Sequence, residues 1–586
     1  MSSHQNTKEV NAKEWTSSVS RGVFYPSTII LLVLVAAAII IPTQLEAAIS
    51  WASTTVINNL SWYYVLVATG FVFFVLILAF SRIGDIKLGD DDDDPDYSLS
   101  SWFAMLFAAG MGIGLVFYGA GEPLSHFASP RPGSIGEEAF LARDAMSSTF
   151  LHWGLHPWSI YVIVGLAIAY THHRKKRPIS IRWTLEPLFG EDRVKGTVGD
   201  VIDSVAVLGT VLGIATSLGF GVNQVAAGIE YLTGFEATRT VLVVLVIAIS
   251  SLAALSVATG LDNGIKILSN INLILAGLLA FAVAALGPTT FILSEFVQDI
   301  GYYLNDFFKL AFQTLPFEGV AGTTWLTSWT TYYWGWWMSW SPFVGIFIAR
   351  ISRGRTIREF IVGVLAVPTL VTFLWFAIMG GNGLYQQMFG EGNLIGADGL
   401  VDVNTVLFQS FEALPMSGIL SGAAMIVVII FFVTSSDSGS YVMSMLSTAG
   451  NPNPQLFVRL TWAIMVGAVT AAMIGSASTS TGMAALQSLA ILAAFPFSFI
   501  MVAMSIALWK NAQMDRLKAL QRESAHQRDV LVQDVSAHVV DDLSVAAEEV
   551  IQRRPQRSPI PVAPEIATVL RRAKRRYRRK PRDKQE

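Results

Sequence analysis

The residues whose types and spacing could do chemistry are mostly aromatic. Trp329-Thr-Thr-Tyr332-Tyr333-Trp334-Gly335-Trp336-Trp337-Met-Ser339-Trp340-Ser341-Pro342-Phe343 holds five of the chain's 16 tryptophans within twelve residues. A second cluster, Phe150-Leu-His152-Trp153-Gly154-Leu-His156-Pro157-Trp158-Ser-Ile-Tyr161, lies upstream. An indole face attracts a desolvated cation by about 2 kcal/mol or more. Several rings around one point suit a quaternary ammonium, which has no hydrogen-bond donor to satisfy. A primary amine would instead call for a carboxylate, and these stretches carry none. On a continuous helix Tyr161 and Trp158 fall about 80° and about 140° from Trp153, on one broad face. Trp329, Trp336 and Trp340 share one stripe, with Trp337 about 80° off it. Packing or an interfacial aromatic belt is the competing explanation.

His152 and His156 have the i, i+4 spacing of a metal pair. No third ligand such as the glutamate of an HExxH motif accompanies them, which favours a buried, hydrogen-bonded pair. In Phe431-Phe-Val-Thr434-Ser435-Ser436-Asp437-Ser438, adjacent hydroxyls and backbone carbonyls are the hard, uncharged oxygens that Na⁺ accepts. They are equally ordinary glue between membrane helices. Nothing ties His152 to Ser435 or Asp437 as a catalytic set. Ala108-Ala-Gly110-Met111-Gly112-Ile113-Gly114 alternates three glycines, each weakening a helix by about 1 kcal/mol. Small residues also serve close helix packing. An unwound helix would offer free N–H and C=O groups to a substrate carboxylate and a cation.

The elements holding these groups must lie in a bilayer. Of 586 residues, 53% are hydrophobic and only 14% charged, whereas soluble domains run near about a quarter charged. With no cysteine, disulfide scaffolds and thiolate sites are excluded. The expectation is an all-α integral membrane protein that is no enzyme, needs no cofactor and binds no nucleic acid. Twelve apolar stretches are long enough to span: 28–48, 62–81, 99–121, 146–170, 204–232, 240–259, 267–287, 325–349, 360–380, 417–440, 457–477 and 483–509. Leu293–Phe312 reads as amphipathic and interfacial. With the N-terminus inside, the outer loops hold only Arg131, Arg143, Arg239 and Lys309 of the 40 Lys+Arg, so both termini are expected in the cytoplasm. No cleavable signal peptide is evident. Residues 511–552 read as a charged helix, Pro555–Pro564 as a hinge and 566–580 as a basic helix. That tail is either solvated or a contact for anionic lipid.

Four segments, AAGMGIGLVFYGAGEP, HWGLHPWSIY, YYWGWWMSWSPFVGIFIARISRGR and FFVTSSDSGS, resemble the betaine/carnitine/choline transporter family across about residues 99–509. The likeness is strongest to the sodium-coupled glycine betaine carriers of Gram-positive bacteria, which import compatible solutes under osmotic stress. The resemblance implies a LeuT-like, five-plus-five inverted repeat (99–290 and 325–510) and usually a homotrimer in the cell membrane. Flanking these would be an N-terminal tail (1–27), two extra helices (28–98), an outer amphipathic segment (291–324) and a regulatory cytoplasmic tail (511–586). It also implies a cation cage of Trp153, Trp158, Tyr161 and Trp337. Trp340 would belong to a second aromatic site, with Phe343 and Phe347 lining the path below. The backbone at Gly110, Met111, Gly112 and Gly114 would receive the substrate carboxylate. A sodium site would use Ala108, Met111, Phe431, Thr434 and Ser435, and a second one Thr210 and Phe343.

Three positions depart from or discriminate within the family pattern. Ile214 stands where close relatives carry a threonine of the second sodium site. Sodium-independent carnitine exchangers carry an arginine where this chain has Leu273. Choline carriers carry an aspartate at Gly114. The latter two absences favour Na⁺-coupled uptake of a zwitterion, most simply glycine betaine. Ectoine, proline or carnitine transport, substrate exchange, and a sensor signalling through its tail are the rival expectations.

Overall fold

The computed structural model describes residues 19–110, 112–259, 262–476, 479–553, 568 and 571–572; at 107–110 it describes the backbone alone. Among these residues the ordered structure is helical, with one isolated antiparallel bridge between Lys87 and Thr356. The principal helices are α1 (Arg21–Ile40), α2 (Pro42–Phe80), α3 (Leu99–Gly110), α4 (Ile113–Ala128), α5 (Glu138–Trp153), α6 (Leu155–Ala169), α7 (Thr197–Thr233) and α8 (Arg239–Thr259). They continue as α9 (Asp262–Leu286), α10 (Thr289–Ala311), α11 (Gly319–Ser328), α12 (Thr330–Arg350), α13 (Ile357–Phe389), α14 (Ser417–Ser447), α15 (Leu456–Ser476) and α16 (Thr479–Gln552).

Ten helices among the described residues are long and apolar enough to cross a membrane. Two of the twelve predicted stretches are not among them. The third is cut into α3 and α4 beside Gly112, which is extended (φ −133°, ψ −178°). The eighth is cut at Trp329 (φ −123°, ψ −88°) into α11 and α12. The indole and phenol groups of α12 also lower its hydropathy. Other boundaries shift as well. Pro42 cannot donate the next helical N–H, so α1 ends there and a 39-residue α2 begins, running through the expected loop at 49–61. The fourth stretch breaks at Gly154, where a Cβ would lie 2.5 Å from the Phe150 carbonyl oxygen and 2.7 Å from the Phe373 ring.

Burial separates the centre from the periphery. The apolar window is 94% buried in Glu138–Arg174 and 89% in Thr197–Thr233, against 28% in Arg239–Ala258 and 22% in Leu268–Leu286. Helices α5–α7 are therefore interior, whereas α8 and α9 turn apolar side chains outward, as lipid-facing helices do. The almost wholly buried α12 packs along α6, and α7 packs along α14. Helix α10 covers the segment read as amphipathic, with an unexpected polarity. It buries Glu295, Asp299 and Tyr303 and exposes Leu293, Val297, Leu304 and Phe308.

The acidic run Asp90–Asp94 is clamped between two basic segments, Arg174–Arg177 and Arg353–Arg358. Segments 86–88 and 354–357 pair through Leu88 N–H to Arg355 O (2.8 Å) and Gly354 N–H to Leu88 O (2.9 Å). Gly354 has φ +78°, and a Cβ there would lie 2.2 Å from the Asp94 carbonyl oxygen, so only glycine fits. Around this junction Lys176 meets Asp90 (2.9 Å), Arg174 meets Asp91 (2.8 Å), Arg353 meets Asp93 (3.0 Å) and Arg358 meets Asp85 (2.5 Å).

The chain divides into two compact units, Met1–Lys510 and Asn511–Glu586. In the second, the charged segment is helical as far as Gln552. Residues 1–18, the Pro555–Pro564 hinge and most of the basic 566–580 segment lie outside the described residues.

Candidate substrate site

Three helices supply the rings. Trp153 is the last residue of α5, Trp158 and Tyr161 stand on α6, and Trp337 is on α12. All four are buried, and they meet in series. Trp153 and Trp337 have centroids 4.9 Å apart at 70°, Trp337 and Tyr161 6.3 Å at 79°, and Tyr161 and Trp158 5.6 Å at 84°. Successive rings meet edge to face, at 70°, 79° and 84°, and are not stacked. Trp337 Nε1–H donates to the His152 carbonyl (2.9 Å), tying α12 to the end of α5.

Of the expected stripe on α12, Trp336 and Trp340 both face the glycine stretch at 112–114. Trp336 also stacks on its neighbour Trp337 (4.6 Å, 14°), whereas Trp329 sits in the α11–α12 break with its ring 4.4 Å from His126. Because α12 is buried nearly all round, its indoles settle on whichever rings adjoin them, and helical phase alone does not decide the partner. Trp340 meets Phe343 edge-on at 5.6 Å.

The glycines act by clearance. A Cβ at Gly114 would lie 2.5 Å from Trp336 Cη2 and 2.9 Å from Trp153 Cη2, and one at Gly112 would lie 2.9 Å from Trp340 Cη2. Helix α3 ends at Gly110 and α4 restarts at Ile113, so the expected interruption is present. Met111 and the side chain of Ala108 lie outside the described residues.

On α14, Thr434 Oγ1–H donates within its own helix, with the Ile430 (2.9 Å) and Phe431 (3.1 Å) carbonyls in reach; Ser435 is half-buried beside it. Phe431 is buried and lines an apolar cavity of about 370 Å³ with Leu115, Leu273 and Trp375. Thr210 likewise donates within its own helix, to Ala206 O (2.8 Å). Ile214 turns towards α14, its Cδ1 2.2 Å from where a Gly439 Cβ would be.

Sequence reading missed Glu122: the aromatic stretches carry no carboxylate of their own, but α4 brings one against them. Glu122 is wholly buried on α4. Its Oε1 accepts from His152 Nδ1–H (2.7 Å) and His126 Nε2–H (3.3 Å), and its Oε2 from Trp153 Nε1–H (2.6 Å) and the Tyr333 hydroxyl. The signal was an i, i+4 ladder along α4, Gly114, Tyr118, Glu122 and His126. The two predicted histidines are each buried and hydrogen-bonded, but not to each other. His152 Nε2 meets Thr330 Oγ1 (3.0 Å), and His156 Nε2–H meets Thr69 Oγ1 (3.2 Å), whose own proton goes to Ala311 O (2.5 Å). Ligand atoms of Glu122, His126 and His152 lie within 4.8 Å of one another. A metal there would require both imidazoles to give up the protons they direct at the carboxylate. Asp437, the acid of the rejected catalytic set, is engaged by Ser256 (3.2 Å) and Arg459 (3.4 Å).

The buried aromatic cluster beside the glycine-interrupted helix is a candidate binding site. A family model described as betaine/carnitine/choline family transporter matches residues 22–517. This chain belongs to the betaine/carnitine/choline transporter family. It is 44% identical over 491 residues to the glycine betaine transporter OpuD of Bacillus subtilis, covering 83% of this chain and 94% of that one. It is 41% identical over 518 residues to glycine betaine transporter 1 of Vibrio parahaemolyticus, covering 86% and 96%. An uncharacterized transporter of Mycobacterium tuberculosis is 46% identical over 503 residues, covering 85% and 83%. The betaine/carnitine/choline family consists of transporters, so the chain is a multi-pass membrane transporter for a small molecule, and no catalytic function is indicated.

Proposed function

We propose that this protein imports glycine betaine, or a close quaternary-ammonium compatible solute, by coupling its entry to Na⁺ under osmotic stress. The observation that carries the reading is the four-ring box of Trp153, Trp158, Tyr161 and Trp337. A trimethylammonium group offers no hydrogen bond and is held by ring faces. The substrate carboxylate would meet the free N–H groups at the start of α4, beside Gly112 and Gly114, where the helix dipole also favours an anion. Two relatives carry glycine betaine in their names, which supports the same substrate class.

In this reading Na⁺ binds Ala108, Met111, Thr434 and Ser435 beside Phe431, orders the interrupted α3–α4 segment against α14, and so favours substrate binding. A second ion at Thr210 and Phe343 would act without a contribution from Ile214, which faces α14. Leu273 supports Na⁺ coupling over exchange: it lines an apolar cavity with Phe431, so no fixed cation replaces the ion there. Alternating access would rock two inverted repeats, 99–290 and 325–510, around the box. We further propose a homotrimer with both termini cytoplasmic and a tail (511–586) that touches anionic lipid.

The test is uptake of labelled glycine betaine into proteoliposomes under an inward Na⁺ gradient or an equal K⁺ gradient. Accumulation with Na⁺ alone is expected. Uptake that ignores Na⁺ but needs preloaded substrate would overturn coupling in favour of exchange. Competition by ectoine, proline and carnitine sets the substrate range.

A further inference from the structure

Buried deep beside the box is a carboxylate that the proposed cage does not use. Its four donors are His152 Nδ1–H, His126 Nε2–H, Trp153 Nε1–H and the Tyr333 hydroxyl, all aimed at the two oxygens of Glu122. The indole N–H can only donate, and with both imidazoles in the donating tautomer the two oxygens have four donors, an arrangement that favours the carboxylate anion. None of the donors need be cationic. A neutral imidazole at 152 gives Nδ1–H to Glu122 and accepts the Thr330 hydroxyl at Nε2 (3.0 Å). The nearby guanidinium of Arg131 is occupied by Asp144 (2.6 Å) and Gln313 (2.5 Å). A carboxylate therefore lies one indole away from the ring series of Trp153, Trp337, Tyr161 and Trp158.

Resting on the reading of the box as a quaternary-ammonium site, we propose that Glu122 is a specificity-determining residue of that site, positioning Trp153 and Tyr333 and adding a fixed negative charge behind the Trp153 ring. Two effects converge on the cation. The bond from Trp153 Nε1–H to Oε2 (2.6 Å) fixes the indole edge and pushes electron density onto the ring face that a cation meets. The full charge, screened by rings and not by water, attracts an ammonium through a low-dielectric interior. The same carboxylate pins the Tyr333 ring, which lies 5.6 Å from Trp153 and 5.8 Å from Trp337. Glu122 thus acts through the cage rings and does not touch the substrate.

The test compares wild type, Glu122→Gln, Tyr333→Phe and the double variant in proteoliposomes under an inward Na⁺ gradient. Glu122→Gln is expected to raise the KM for glycine betaine at least about tenfold while kcat stays within about twofold. Tetramethylammonium, a cation with no carboxylate, should lose inhibitory potency by the same factor. Tyr333→Phe should raise KM less, and should add nothing once Glu122 is Gln, because its hydroxyl works through that carboxylate. An unchanged KM in Glu122→Gln, a loss confined to kcat, or weakened betaine with unweakened tetramethylammonium would each overturn the inference. If Glu122→Gln does not elute as a folded protein, Tyr333→Phe decides alone: a raised KM at constant kcat supports the role and an unchanged KM removes it. Wild-type protein that takes up no betaine would instead sink the functional reading beneath this one.

Discussion

Of the sites at which this molecule buries carboxylates, two solve the problem in opposite ways. Glu122, among the aromatic rings, is given four donors by three helices, α4, α5 and α12. Glu295 and Asp299, one turn apart on α10, are almost as deeply buried and leave Glu295 Oε2 and both Asp299 oxygens without a hydrogen bond. Burying an ion costs several kcal/mol unless donors replace its lost water. Donors let Glu122 remain an anion. Burial pushes the Asp299 carboxyl up to about 8, against the pull of Arg143, and holds Glu295 well above the ordinary carboxylate range, burial again acting first and the neighbouring Asp299 second. One site stores charge and the other stores a proton.

Glu122→Leu tests the first half most severely. It strands four donors in a dry interior, and breaking a buried charged network costs about 3–5 kcal/mol. We expect little folded protein, read as the yield of monodisperse material in detergent. A normal yield would show that Glu122 is not the hub its geometry describes. Trp337→Leu removes one wall of the box without touching the carboxylate. It should fold and raise the uptake KM at least about tenfold, about 1.4 kcal/mol. Unchanged kinetics would remove that ring from the cage.

Sequence alone was strong where the signal was local. The α3–α4 interruption and the charged helix up to Gln552 each follow from a single run of residues, and each is present among the described residues. Failures came where a partner lies far along the chain. Glu122 sits one residue beyond the apolar stretch that ends at 121 and so resembles a loop residue at a membrane edge; two of its donors are 30 and 211 residues away. Asp90–Asp94 reads as a solvated acidic run until Arg174, Lys176 and Arg353 fold over it. The break at Gly154 rests on a single glycine within an otherwise helical pattern, and its cause, the ring of Phe373, is over 200 residues distant. Helix α10 shows the same limit: its period was legible, but lipid outside and protein inside inverted the face that carboxylates prefer.

The second half of the comparison predicts a pH effect with a definite sign. An acid whose folded pKa is raised binds its proton more tightly in the folded state. Its stabilising contribution is therefore complete below the ordinary carboxylate range near 3.8 and is lost as pH climbs towards about 8. Thermal stability should decline across that window by no more than about 1.4 kcal/mol per pH unit for this proton. Asp299→Asn, neutral at every pH, should flatten the decline. A variant with the same slope as wild type would assign the pH dependence to other groups.

The smallest effect belongs to a third kind of carboxylate, one that water reaches. Asp93 accepts from Arg353 at 3.0 Å, and the Arg353 guanidinium and neighbouring Asp90 hold its carboxyl below the usual range. Its backbone bond, from the Asp90 N–H, acts most strongly. Both partners lie in solvent, where ions screen the attraction and side-chain entropy opposes the pairing. Arg353→Gln should leave the melting temperature within error in physiological salt, with any difference confined to low ionic strength. A clear destabilisation at high salt would mean that the junction of 86–88 with 354–357 depends on its charges. The geometry argues that it does not: the backbone bonds of Leu88 and Gly354 (2.8 and 2.9 Å), and the absence of a Cβ at Gly354, already define that junction. Three carboxylate environments in one chain would then rank by their access to donors and water, the same two quantities that set Glu122 apart.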